Sequence, residues 1–252
     1  MLKRRIIPIQ LLLGHRLVKT LRFGTHRDVG DPVASSKVYS AQNADELIFL
    51  NIDRDQRNIH ALLRVISRVS EVCFMPLTLG GGIRSVGEAE QLIRGGADKI
   101  VLNTAPYRHP QLVTDIARIY GRQAVVASID VRREGDGYVL YSDCGRRREQ
   151  AGLLEHLATL QDAGAGEILI NAIDRDGVMA GYDLDLVRIV AERCSVPVIA
   201  CGGAGTFEHL KDVFLETKAS AAACGSLFNF GDNNPMRAKA FLANHGLSFK
   251  RI

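Results

Sequence analysis

The sequence predicts an α/β fold, a (β/α)8 TIM barrel with an internal half-barrel repeat. Three observations carry that expectation. Eight short apolar, β-branched runs alternate with segments of helical periodicity, which implies parallel strands joined by right-handed crossovers. Eight such pairs in 252 residues suit one closed barrel. The halves also repeat: DELIFLNID at 45–53 matches GEILINAID at 166–174, and Gly81-Gly82 matches Gly202-Gly203, each 121 residues on. The expected organisation is one domain over 1–252, with half-barrels of about 1–120 and 121–252. An open doubly wound sheet would want Gly-x-Gly-x-x-Gly after its first strand, and none stands there.

The strands are expected at 5–11, 46–52, 76–79, 99–102, 124–129, 167–171, 197–200 and 219–223. Between them, Asp31 caps a helix with Pro32 at its first position. Residues 58–72 place apolar side chains at helical spacing. Ser85 and Glu88 fit a capping box. Pro110 opens the next helix and Gly121 closes it, and Gly164, Thr206, Pro235 and Gly246 punctuate the later ones.

Composition is that of an ordinary soluble globule, with 46% apolar and 24% charged residues. A net charge of +4, from 32 basic and 28 acidic residues, makes no case for nucleic acid or membrane. The clusters Arg132-Arg133 and Arg146-Arg147-Arg148 read either as a solvated face or as contacts to an acidic ligand or partner. Five scattered cysteines without a Cys-x-x-Cys suggest neither a zinc site nor a disulfide framework. No metal or cofactor is expected. With no signal-peptide pattern and no run approaching ~18 apolar residues, the expected location is the cytoplasm.

In this fold, sites lie at the C-terminal ends of the strands. Glycine pairs stand there: Gly81-Gly82 after the third strand and Gly202-Gly203 after the seventh. Such pairs turn corners, and they also let backbone N–H groups approach an anion. Because the pairs are related by the repeat, phosphate cradles are expected, one completed by Asn103-Thr104 and the other by Gly225-Ser226. Two cradles suit an elongated ligand with a phosphate at each end. Asp130 ends the fifth strand and is the candidate general acid or base; a capping aspartate is the plainer alternative. Asp176 and Gly177 follow the sixth strand in a loop over the same mouth, where Asp176 either binds a ligand hydroxyl or closes an Asx-turn. Residues 12–30, with Lys19, Arg22, His26 and Arg27, form a candidate lid over an anionic ligand, and His15 and His26 read as polar loop residues. Cys201 and Cys224 end strands and read either as reactive thiols or, more plainly, as small apolar fillers. At the opposite end, Arg5, Glu46, Lys99 and Glu167 start strands one, two, four and six, and form either a structural plug or a charged gate.

The chain resembles the HisF family, the cyclase subunits of imidazole glycerol phosphate synthase, almost from end to end. RIIP at 5–8, GDP at 30–32, GGGI at 80–83, LNTA at 102–105, AIDRDGVMAGYD at 172–183 and ACGGAG at 200–205 carry the likeness. It implies a bisphosphate ligand and a class-I glutaminase partner of the HisH kind at the barrel floor. It also implies that ammonia passes Arg5, Glu46, Lys99 and Glu167. Asp130 matches one of the family's two acid–base carboxylates. The other closes a first strand ending in Cys-Leu-Asp, where this chain reads Ile9-Gln10-Leu11. That departure resembles the divergent branch associated with glycosyl amidation in lipopolysaccharide and other surface-polysaccharide synthesis. There the barrel supplies ammonia to a third protein that amidates a nucleotide sugar. The expected function is therefore an ammonia-channelling subunit; the alternative is a histidine-pathway cyclase, a lyase with a displaced acid.

Overall fold

The computed structural model describes residues 3–54 and 59–250. Eight parallel strands close into a barrel: β1 (Arg5–Leu13), β4 (Leu47–Asn51), β5 (Leu77–Gly80), β6 (Lys99–Leu102), β7 (Val125–Glu134), β10 (Glu167–Ala172), β11 (Val198–Cys201) and β12 (Ala221–Cys224). The ring closes where β12 pairs with β1, and β10 bridges β7 and β11. Helices α1 (Pro32–Ala41), α2 (His60–Val69), α3 (Val86–Arg94), α4 (Gln111–Tyr120), α5 (Leu153–Asp162), α6 (Leu184–Arg193), α7 (Phe207–Glu216) and α9 (Pro235–Ala243) cover the outside, with a single turn, α8 (Ser226–Asn229), after β12.

The caps read from the sequence hold. The Asp31 carboxylate accepts from the Val33 and Ala34 amides, with Pro32 entering α1. Ser85 and Glu88 form a reciprocal capping box, Thr206 caps α7, and Gly121 ends α4 at φ +84°. The helix expected over 58–72 is α2, and Asn58 lies outside the described residues. Glu46 stands one residue before its strand rather than within it.

Alternation along the strands builds two cores. Ile7, Ile9, Ile48, Val101, Val126, Leu169 and Ile199 fill the barrel. Ile6, Phe49, Leu79 and Ile100 point the other way, into the layer between sheet and helices. Side chains alternate every residue, so Arg5, Ile7, Ile9 and Leu11 share the inner face of β1. Six residues at about 3.3 Å each put Leu11 about 20 Å from Arg5. Leu11 thus stands at the mouth and Arg5 at the floor.

The largest departure from expectation lies beyond Leu11. Residues 12–30, the candidate lid, are built as a β-ribbon. β1 runs on to Leu13, turns at Gly14-His15, and continues as β2 (Arg16–Thr20) and β3 (His26–Gly30) in an antiparallel ribbon. His26 therefore opens a strand. β7 likewise overruns its predicted end and pairs with β8 (Gly137–Ser142), which pairs with β9 (Arg147–Arg148). First and fifth barrel strands, opposite each other in the ring, each carry a ribbon. Among the described residues, no helix is long and apolar enough to cross a membrane.

Candidate active site at the barrel mouth

The strand C-terminal ends surround a cavity of about 1150 Å3. Its lining includes Leu11, Lys19, Gly81, Gly82, Asn103, Thr104, Asp130, Asp176, Gly177, Gly202, Gly203, Gly225 and Ser226. The residues proposed from sequence for the mouth thus converge on one space.

Both glycine pairs need to be glycine. Gly81, Gly82, Gly202 and Gly203 lie at φ +96°, +83°, +86° and +118°, in the left-handed region. A Cβ on Gly81 would sit 2.1 Å from the Asn51 carbonyl oxygen, and one on Gly203 2.1 Å from that of Gly181. Beside the first pair, the Asn103 amide donates to the Ser128 carbonyl at 3.1 Å, and the Thr104 hydroxyl accepts from the Asp143 amide at 3.1 Å.

Asp130 sits within β7, 8% exposed and paired with Asn171 of β10, whose side-chain amide donates to it at 3.4 Å. Burial pushes its carboxyl up to about 7; the Asn171 bond opposes the rise and the Asp176 charge adds to it. A carboxyl poised there can both give and take a proton near neutrality. Across the barrel Leu11 is half-buried, paired with Leu50 on one side and Val18 on the other. No carboxylate faces Asp130 from that strand.

Asp130 also predicts a pH dependence of stability. Its folded value lies above its ordinary 3.8, so the native state holds a proton that the unfolded chain has already released. Stability should fall as pH rises from about 4 to about 7. Asp130→Asn should remove Asp130's share of that fall and leave the smaller one from Asp176, whose carboxyl burial also raises; it should be near neutral at pH 4 and stabilising by up to about 4 kcal/mol at pH 8. Urea unfolding of both proteins at the two pH values tests this; parallel profiles would contradict it.

Asp176 lines the mouth and is also bonded to the ribbon. Its carboxylate accepts from the Thr20 hydroxyl at 2.6 Å and from the Phe23 amide at 3.4 Å, while its carbonyl accepts from the Arg22 amide at 2.9 Å. It latches the tip of the β2–β3 ribbon to the mouth. Gly177 lets the latch close, because a Cβ there would lie 2.1 Å from the Thr20 carbonyl oxygen. Lys19, on β2, is buried and donates to the Ile9 carbonyl; burial brings its ammonium down to about 8, opposed by Asp176. It stands against Gly225, where a Cβ would approach its Nζ to 2.9 Å. Burial raises the Cys201 and Cys224 thiols, which keeps them protonated as fillers.

Sequence reasoning missed two groups here. Asn171 orients Asp130, and its Oδ1 is buried without a protein partner, which leaves an acceptor for a ligand donor. Asn171 is the last residue of the strand expected at 167–171, and that place at a strand end was the available signal. Arg54, Arg84 and Arg108 also line the mouth, and nothing in their separate positions linked them; Arg146, from a cluster read as a solvated face or as contacts to an acidic ligand or partner, lines it too.

At the floor, the four charged residues meet as predicted. Arg5 donates to Glu46 at 2.8 Å and to Glu167 at 2.9 and 3.1 Å. Lys99 donates to Glu46 at 2.9 Å and to Glu167 at 2.8 Å, and Thr78 adds a 2.6 Å bond to Glu46. Burial pushes Glu167 up, but Arg5 and then Lys99 outweigh it, and its carboxyl ends below the ordinary value.

Fold and mouth together define a single (β/α)8 barrel with a carboxylate-bearing, glycine-lined mouth at one end and a closed charge network at the other. A family model described as histidine biosynthesis protein matches residues 5–234. Over 252 residues, the full length of both chains, the protein is 42% identical to imidazole glycerol phosphate synthase subunit HisF of Hyphomonas neptunium and 40% identical to that of Alkaliphilus metalliredigens. It is 41% identical to that of Exiguobacterium sibiricum over 250 residues, 99% of this chain and all of the relative. The chain belongs to the HisF family.

Proposed function

We propose that this chain is the ammonia-accepting barrel subunit of a HisF-type glutamine amidotransferase complex. A class-I glutaminase subunit docks on the strand N-terminal face, ammonia passes the floor network into the barrel, and a phosphorylated small molecule occupies the mouth. The observation that carries this reading is the floor itself. An ionic cluster taken out of water is seldom more stable than apolar side chains of the same size. A mere plug would be better built from leucines, whereas a polar passage needs groups that can hold and hand on ammonia. The halves at about 1–120 and 121–252 are read as two copies of one half-barrel, supported by the ribbons that extend the first strand of each.

Which acceptor receives the ammonia divides two readings. The names of the three relatives support formation of imidazole glycerol phosphate, a lyase-type step of histidine biosynthesis. Leu11 favours the second, in which the barrel delivers ammonia without cyclising and a third protein amidates a nucleotide sugar. Those names lend no support to the sugar acceptor, and the case for it is Leu11 alone.

The test is reconstitution with a glutaminase subunit and amide-labelled glutamine. Label should reach an acceptor in preference to unlabelled ammonium in the buffer, and Lys99→Met should reduce that preference while glutamine is still hydrolysed. Equal preference in wild type and variant would remove the gate.

A further inference from the structure

Two strands separate the glycine pairs on each side of the ring, and the two sides differ in chemistry. The order β11-β12-β1-β4-β5-β6-β7-β10 places β1 and β4 on one arc between the cradles, and β7 and β10 on the other. On the first arc the side chains that alternate toward the axis near the mouth are Ile9, Leu11, Leu13 and Leu50, and all four line the cavity. On the second they are Ser128, Asp130, Arg132 and Asn171. An aliphatic strand wall thus faces a polar one.

The aliphatic wall keeps apolar surface in the cavity, since Leu11, Leu13 and Leu50 are only half-buried. The polar groups on this side come from the ribbon, as Lys19, Arg22 and His26, and from the loop after β4, as Asp53 and Arg54. Lys19 is held by the Ile9 carbonyl, and Arg54 donates to the Asp143 and Cys144 carbonyls. None of them interrupts the strand wall itself. On the polar wall one acceptor is unused. The Asn171 side chain is 7% exposed; its Nδ2 donates to Asp130, while its Oδ1 is buried with no partner among the described residues. That oxygen stands beside the second cradle, where a Cβ on Gly202 would lie 2.9 Å from it. A buried acceptor left unpaired is costly, so it marks where a ligand N–H or O–H belongs.

We infer that the ligand of this mouth is an amphipathic phosphate ester, with an alkyl or aromatic face against Leu11, Leu13 and Leu50 and a hydrogen-bond donor against Asn171. Binding sites commonly join apolar walls to a few placed polar groups in this way. A hydroxyl-rich chain in the same place would lose water on the leucine side and gain no partner there. The inference rests on the reading that the mouth binds a phosphorylated ligand, and it assigns that ligand's class.

The experiment is calorimetric titration of the full chain with two phosphate monoesters of equal charge and chain length, hexyl phosphate and glucitol 6-phosphate. Each methylene taken out of water favours binding by ~4-fold, so burying roughly two or three should give hexyl phosphate an advantage of at least ~10-fold. The double variant Leu11→Asn, Leu50→Asn should weaken hexyl phosphate by at least ~10-fold and leave glucitol 6-phosphate within ~3-fold. The pair Leu154→Asn, Leu215→Asn removes exposed leucines from α5 and α7 and should change neither. Asn171→Leu should weaken glucitol 6-phosphate by at least ~3-fold and hexyl phosphate by less. Thermal scans check that the variants fold. Glucitol 6-phosphate binding as tightly as hexyl phosphate or more tightly, equal losses from both leucine pairs, or equal loss of both esters in Asn171→Leu overturns the amphipathic assignment and leaves the phosphorylated-ligand reading standing. Failure of wild type to bind either ester at millimolar concentration overturns both.

Discussion

Supplied with ammonia and the bisphosphate of the cyclase reaction, the wild-type barrel should form the imidazole product at least ~10²-fold more slowly than a cyclase with both carboxylates, because a positioned acid or base contributes about 10²–10⁴-fold. The cause is Leu11. It lines the mouth on the strand opposite the one that carries Asp130, and a leucine transfers no proton. Leu11→Asp should raise the rate by restoring the facing pair. Recovery should be partial, since Ile9, Leu13 and Leu50 line the same wall and a carboxylate among them costs about 1–3 kcal/mol of stability. Steady-state product formation by the two purified proteins decides the matter. Rapid turnover with Leu11 in place would sink the non-cyclising reading and assign the chain to imidazole glycerol phosphate formation.

The floor should be the most sensitive polar cluster in the protein. The Glu46 side chain is 2% exposed and accepts from Arg5, Lys99 and Thr78. Glu46→Ala should cost about 3–5 kcal/mol, because removing one partner of a buried ionic set strands the others. In a chain of this length that corresponds to a melting-temperature drop of roughly 6–20 °C. The double variant Glu46→Leu, Lys99→Met keeps the Arg5–Glu167 pair and should be less damaged than Glu46→Ala alone. Acid should weaken the same network. Glu167 has a folded value below its ordinary one, so its contribution is present above about pH 4.5 and lost as pH falls through the folded value. A loss under ~1 kcal/mol for Glu46→Ala would mean that the floor is solvated, and the desolvation argument for a passage would go with it.

The fold was legible because the barrel strands are apolar and short, bounded by caps and glycines that act locally. The ribbons were not. β3 reads HRDVG and is largely exposed, so it carries no apolar alternation, and only pairing with β2 makes it a strand. Asp176 was placed at the mouth correctly, but its partner Thr20 lies 156 residues away and could not be foreseen. The floor charges were visible as a set because each marks a strand start. Arg54, Arg84 and Arg108 were not, since each looks like a solvated loop residue until the barrel closes and brings them to one cavity.

One consequence follows from the inner face shared by Arg5, Ile7, Ile9 and Leu11. Floor and mouth are read from the same ruler, with a step of two residues. Inserting or deleting a single residue within 6–10 would turn Arg5 or Leu11 away from the axis, so the two ends cannot keep their registers independently. Length changes are tolerable only past Leu13, in the ribbon. This barrel can therefore change its chemistry by substitution at the mouth or by remodelling the ribbon, but not by altering the length of the strand between, which couples the history of its two ends.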